Sequence, residues 1–160
     1  MRKLIFSILC ILICGASKAQ DDIKNLEFII TIDEEIAKTL FNPMIIVKND
    51  EDVLKKVSIS YYPGNLSLAT KDYDMIFSEQ KDTLFLKFDY YQYSSKGKQQ
   101  VYNYEIEIGE NWFEQTFIIL KLYNLDKKKY RKILEPLSKY KNYTFDLETS
   151  QGQMMRIRKN

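Results

Sequence analysis

Thr83-Leu84-Phe85-Leu86-Lys87-Phe88-Asp89-Tyr90-Tyr91-Gln92-Tyr93 and Val101-Tyr102-Asn103-Tyr104-Glu105-Ile106-Glu107-Ile108 flank the polar stretch Ser94-Ser95-Lys96-Gly97-Lys98-Gln99-Gln100. Apolar residues recur at every second position on both flanks, the period of a strand, and a glycine-bearing connection between two such runs reads as a β-hairpin. Setting Tyr90 opposite Tyr104 places Phe88 opposite Ile106 and Leu86 opposite Ile108, so that all six share one apolar face. This register puts Lys87 across from Glu107, which is favourable, and Asp89 across from Glu105, which is not.

The pattern spreads outward from the hairpin. Residues 116–123 are apolar at nearly every position, which predicts a central strand covered on both sides. Upstream, residues 26–32 and 44–47 are short β-branched runs closed by acidic or Asn/Asp clusters. Val57, Ile59 and Tyr61 alternate until Pro63-Gly64-Asn65 turns the chain into Leu66-Ser67-Leu68. Met75-Ile76-Phe77 is a further short strand candidate. One short helical connection is predicted near 126–134, with Asp126 as its N-cap, Tyr130, Ile133 and Leu134 on one face, and Pro136 as its stop. Tyr143, Phe145 and Leu147 alternate, Ser150-Gln151-Gly152 turns the chain, and residues 154–158 supply a last strand. About eight or nine short strands with frequent turn signals predict an all-β fold, a single antiparallel β-sandwich. Trp112, the only tryptophan, is expected in its core.

Leu134-Glu135-Pro136 followed by Tyr140 resembles the Leu-x-Pro-x-x-x-Tyr pattern at one corner of immunoglobulin and fibronectin type III sandwiches. The resemblance covers seven residues. It implies an immunoglobulin-like sandwich with Tyr140 as its corner residue, and it implies no activity.

Residues 1–19 read as a signal peptide: a basic start at Arg2 and Lys3, an apolar run from Leu4 to Cys14, and small Ser17 and Ala19 before Gln20. That run is shorter than the roughly 20 residues a membrane span requires, so no stable span is expected. The expected exported chain is residues 20–160, one domain without cysteine, bound for the periplasm or the cell surface.

Composition narrows the chemistry. The 160 residues contain no histidine, and both cysteines, Cys10 and Cys14, fall in the leader. Histidine-dependent triads and zinc sites with histidine are thereby excluded, and no disulfide framework is available. Lys+Arg 24 against Asp+Glu 22 gives +2, no signature of a nucleic-acid binder. The distribution is uneven, since residues 20–120 carry 10 basic and 18 acidic side chains and residues 121–160 carry 11 and 4. Opposite charges on neighbouring strands explain this asymmetry more simply than an anionic partner does. The acidic groups Asp33-Glu34-Glu35, Asp50-Glu51-Asp52 and Asp72-Tyr73-Asp74 read as solvated turns. A carboxylate-pair hydrolase or a calcium loop would need more than they offer. We therefore assign no catalytic residue, cofactor or metal.

Two groups of residues carry the binding expectations. Tyr91 and Tyr93, alongside Asn103, lie off the apolar hairpin face and can form an aromatic platform. The basic run containing Lys127, Lys128 and Arg131 can meet a phosphate-rich surface. The expected function is that of an exported, non-enzymatic binding or assembly module of a bacterial cell envelope, acting by protein–protein contact, with weak self-association. The alternative is a glycan- or small-ligand-binding carrier that uses the exposed tyrosines.

Overall fold

The hairpin forms, two residues away from the expected register. In the computed structural model, which describes residues 22–49, 52–77, 83–93, 97–155 and 158–159, β7 (Thr83–Tyr93) pairs antiparallel with β8 (Gln99–Ile108). Tyr90 faces Tyr102, Phe88 faces Tyr104, Leu86 faces Ile106 and Leu84 faces Ile108. A shift of two keeps each side chain on its expected face and changes only its partner. Electrostatics gives the reason. Asp89 now faces Asn103, whose Nδ2 donates to Oδ1 at 2.6 Å, while Lys87 faces Glu105 at 3.8 Å, and the like-charge conflict disappears. The leader expected at 1–19 and hairpin residues 94–96 lie outside the described residues.

Two sheets face each other. The first runs β4 (Asp52–Ser58), β3 (Phe41–Asn49), β7, β8. The second runs β11 (Gly152–Met154), β10 (Tyr143–Thr149), β9 (Phe117–Asn124), β1 (Ile23–Ile32), β6 (Asn65–Ala69), β5 (Ser60–Tyr62), with β2 (Glu35–Ile36) folded against β1. Eight of these strands have five residues or more and three have two or three. Between the sheets lie Phe28, Ile30, Ile118, Leu120 and Phe145 from one side and Ile45, Leu86, Phe88 and Ile106 from the other, all buried. Trp112 joins this core from a 3-10 turn at Glu110–Glu114, 6.1 Å from the Phe28 ring.

The sandwich is not wholly antiparallel. Residues 23–26 of β1 pair antiparallel with β6, and residues 27–32 pair parallel with β9. A parallel neighbour needs a long crossover, and here the chain builds the entire facing sheet before it returns. β9 is central, as expected, but only its even positions are buried while Phe117, Ile119, Lys121 and Tyr123 are half-covered. Met75, Ile76 and Phe77 are not a strand. They belong to α1 (Thr70–Phe77), where Tyr73, Ile76 and Phe77 recur at helical spacing. Tyr73 and Phe77 pack on each other at 4.6 Å and on Phe113 at 5.5 and 5.2 Å. Asp72 and Asp74 are accordingly helical and not part of a turn.

The helix expected over 126–134 contracts to α2 (Lys128–Arg131). Asp126 does not cap it, because its carboxylate accepts from Gln100 Nε2 and Tyr102 Oη of β8, each at 2.9 Å. Tyr130 and Leu134 pack with Leu125 and Tyr123 on the outside of the second sheet, whereas Ile133 turns to solvent. Tyr140 is 84% exposed and does not form a buried corner. Of the last expected strand only Met154 lies in β11; Arg158 makes a single bridge to Leu134.

The acidic cluster after β1 is a turn with Glu34 and Glu35 exposed, as expected, but the Asp33 side chain is buried. Thr31–Ile36 and Ile32–Glu35 pair across a two-residue connection, Asp33-Glu34, whose φ values are 55° and 74°. Such a turn ordinarily selects Asn-Gly or Asp-Gly. Here the Asp33 side chain holds it. Its carboxylate accepts from the Asn124 backbone N–H and Nδ2, both at 2.8 Å, and pairs with Lys127 Nζ at 2.7 Å. Asn124 Oδ1 in turn accepts from Tyr104 Oη at 2.8 Å, so the network crosses from one sheet to the other.

Asp33→Ala should lower stability by roughly 2–3 kcal/mol in urea denaturation, because two hydrogen bonds to a charged group and a half-buried ion pair are lost together. Thr144, fully buried, has an Oγ1 with no hydrogen-bond partner. Thr144→Val should raise the same stability by about 1 kcal/mol, since an unsatisfied hydroxyl is replaced by a methyl of similar size.

Candidate functional site

On the outside of the β3–β7–β8 sheet, the odd-numbered residues of β7 divide the surface into a charged half and an aromatic half. The charged half centres on Glu105. Lys48 Nζ lies 2.7 Å and Lys87 Nζ 3.8 Å from its carboxylate. Lys48 sits over the Phe85 ring at 4.8 Å, and Lys141 lies 6.0 Å from it. The backbone of Glu105 is also occupied: its N–H donates to Tyr143 Oη at 2.9 Å, and Tyr143 Oη donates back to its carbonyl at 2.6 Å. An outward-facing residue of the edge strand β8 is thus closed by a tyrosine of the opposite sheet, which blunts the edge against other chains.

The aromatic half is built from three strands. Phe41 reaches it through a bulge, because three steps of β3, from Phe41 to Met44, oppose two steps of β7, from Asp89 to Lys87. Asn42 takes up the extra residue at φ 50° and donates Nδ2 to Asp89 Oδ2 at 2.9 Å. With Asn103 on Oδ1, the Asp89 carboxylate is held between two amides. Phe41 meets Tyr91 edge-on at 4.4 Å, Tyr91 faces Val101 across the hairpin, and Tyr93 follows on the same face. Phe41 is 44%, Val101 47% and Tyr93 66% exposed, and Tyr91 is half-buried beneath Phe41.

The structure therefore keeps Tyr91, Tyr93 and Asn103 on one face, as expected, and adds Phe41, Val101, Asp89 and Asn42 to them. What covers Tyr91 is Phe41, from a strand on which the sequence placed no site residue. Phe41 precedes Asn42-Pro43, a turn-like dipeptide that signalled an irregularity but not its direction.

Around the hairpin end, Gln92, Tyr93, Lys98, Gln99, Gln100 and Lys127 line a depression of about 490 Å³. Tyr93 and Lys127, drawn from separate motifs, meet there. Lys127 is engaged with Asp33, while Lys128 and Arg131 point to solvent and line none of the depressions described. A second depression of about 440 Å³ runs along β8 past Asn103, Tyr102 and Lys141. Burial, with the hydrogen bond and charge of Asp126, pushes the Tyr102 hydroxyl above its ordinary value, so it stays a neutral donor to that carboxylate. Among the described residues, no group of acidic side chains converges to hold a metal ion. What the aromatic half offers chemically, among the described residues, is apolar contact flanked by fixed amides and one carboxylate.

A scan against protein-family models found no match to this chain, and searches of curated proteins and of solved structures found none either.

The charged half has a pH signature. Burial pushes the Glu105 carboxyl up, but the hydrogen bond and charge of Lys48, with Lys141 and Lys87, outweigh it and hold the group below its ordinary range. A carboxyl whose pKa is lower folded than unfolded stabilises the fold above the unfolded value, and that gain is lost as pH falls through the folded one. Between about pH 5 and about pH 3 the native protein should therefore lose more stability than Glu105→Gln, measured by urea denaturation at each pH.

Proposed function

We propose that this chain is an exported, non-enzymatic binding module of a cell envelope, that it acts by protein–protein contact, and that the outer face of the hairpin end is its contact surface. The observation that carries this reading is the run of Phe41, Tyr91, Tyr93 and Val101 across three paired strands, with three of the four strongly exposed. Large apolar and aromatic side chains grouped on a rigid sheet face lose little entropy on contact and bury much area, as interface anchors do. The alternation of the hairpin supports it, since the inward residues complete the core and leave the outward ones for another role. An immunoglobulin-like classification of the sandwich belongs to the same proposal; its support is the two-sheet architecture.

A specific observation also favours a second reading, a glycan-binding carrier. Asp89, fixed by Asn42 and Asn103 beside the Tyr91 ring, presents polar atoms next to an aromatic edge, the combination that saccharide hydroxyls and ring faces engage.

A photo-crosslinking amino acid at position 93, in cells producing the full chain, should yield one discrete protein adduct that Phe41→Ala removes while the unfolding midpoint stays within about 2 °C. No adduct from any site on this face, with saturable binding of an oligosaccharide that Asn103→Ala abolishes, replaces the first reading with the second. Neither adduct nor saccharide binding refutes both.

A further inference from the structure

We propose that the surface around α2 docks onto an anionic phospholipid bilayer. The starting point is the excess of cations in residues 121–160, four of which the fold sets in ion pairs. Lys121 pairs with Glu148 at 2.7 Å, Lys127 with Asp33 at 2.7 Å, Lys129 with Glu34 at 2.6 Å and Arg158 with Asp146 at 3.8 Å. Two of these four pairs reach back to the acidic turn after β1, so part of the asymmetry is neutralised internally. Lys128, Arg131 and Lys132 are exposed and enter no ion pair among the described residues.

The geometry gathers these three. They stand at i, i+3 and i+4, which places them on one side of a helical turn. The other side is fixed to the sheet by Tyr130 and Leu134, with Tyr130 packed 5.1 Å from the Tyr123 ring. The chain end adds a fourth cation. Lys159 N–H donates to the Ile133 carbonyl and Lys159 Nζ to the Arg131 carbonyl, each at 3.0 Å. Exposed Asp126 and Glu135 are the acidic side chains adjoining in sequence, so these four cations keep a net charge of +2.

Ile133 distinguishes a bilayer from other anions. It follows Lys132 directly and is 44% exposed, although Tyr130 and Leu134 on either side of it are buried. A soluble polyanion has no use for an apolar side chain surrounded by cations. A membrane surface accepts both, with cations at the headgroup phosphates and the isoleucine at the acyl boundary. The patch is independent of the aromatic face, and either proposal stands without the other.

The test is co-sedimentation of the full chain with vesicles of one part phosphatidylglycerol to three parts phosphatidylcholine, against vesicles of phosphatidylcholine alone. Wild type and variants share residues 1–19, whose Arg2, Lys3 and Lys18 add the same attraction to anionic lipid in each, so the difference between wild type and variants reports the patch. Binding to the anionic vesicles should be at least about tenfold tighter than to neutral ones, and half-molar salt should abolish the difference. Lys128→Glu/Arg131→Glu/Lys132→Glu should weaken that preference several-fold relative to wild type with an unchanged circular dichroism spectrum. If the triple variant does not fold, Lys128→Gln/Lys132→Gln serves in its place. Ile133→Ser should weaken anionic-vesicle binding several-fold while leaving its salt dependence intact. Equal binding to both vesicles, or charge variants that sediment like wild type, overturns the proposal. So does full competition by inorganic polyphosphate combined with an indifferent Ile133→Ser, which would mark a polyanion site.

Discussion

Asp33 occupies a turn whose backbone asks for glycine, and its carboxylate repays that strain by joining three parts of the molecule. It holds the end of β9 through Asn124, the start of the α2 segment through Lys127, and, through the Asn124 amide, Tyr104 of the opposite sheet. A sandwich core is non-directional, and apolar contact alone lets two sheets slide or rotate against each other. A buried polar chain with every partner in place fixes one alignment. Tyr104 is fully buried, and burial pushes its hydroxyl above the ordinary range, so it remains a neutral donor to Asn124. The sheets are thereby registered at the end where the β7–β8 hairpin projects.

That registration matters for the surface. The hairpin end carries both depressions along β8 and the aromatic face, and it extends past the region where the two sheets pack. Asp126, which binds Gln100 and Tyr102, gives this extension a second support from the α2 segment. Aromatic residues on an unsupported ribbon would pay for ordering at each encounter. Here the inward side of the ribbon is tied by hydrogen bonds and the outward side is left for contact.

Much of the fold was legible wherever the apolar period was clean. Both hairpin strands, the Pro63-Gly64 turn, the centrality of β9 and the burial of Trp112 follow from alternation, turn chemistry and size. The two-residue register error was legible as well: Asp89 opposite Glu105 was a conflict within the expected pairing, and Asn103 two residues away resolved it. At residues 75–77 a three-residue apolar run concealed Tyr73, Ile76 and Phe77 at helical spacing. The site was half legible. Tyr91 and Tyr93 were visible because alternation points them off the core, but Phe41 depends on a bulge that no single-strand pattern encodes. Asp33 was illegible for a related reason, since its partners lie 91 residues further along the chain. Local charge density describes solvation and does not report distant contacts.

The parallel pairing of β1 with β9 has a consequence for how the polypeptide acquires its shape. Residues 27–32 find their parallel neighbour only in residues 117–122, so the larger sheet cannot close until most of the sequence is present. The four-stranded sheet is more local, since β3–β4 and β7–β8 are each adjacent in sequence and its one longer pairing joins residues 41–48 to 83–89. Contact order follows from the topology: the amino-terminal strand can pair early with β2 and β6, whereas its parallel partner β9 comes late, and such non-local pairing slows the final closure.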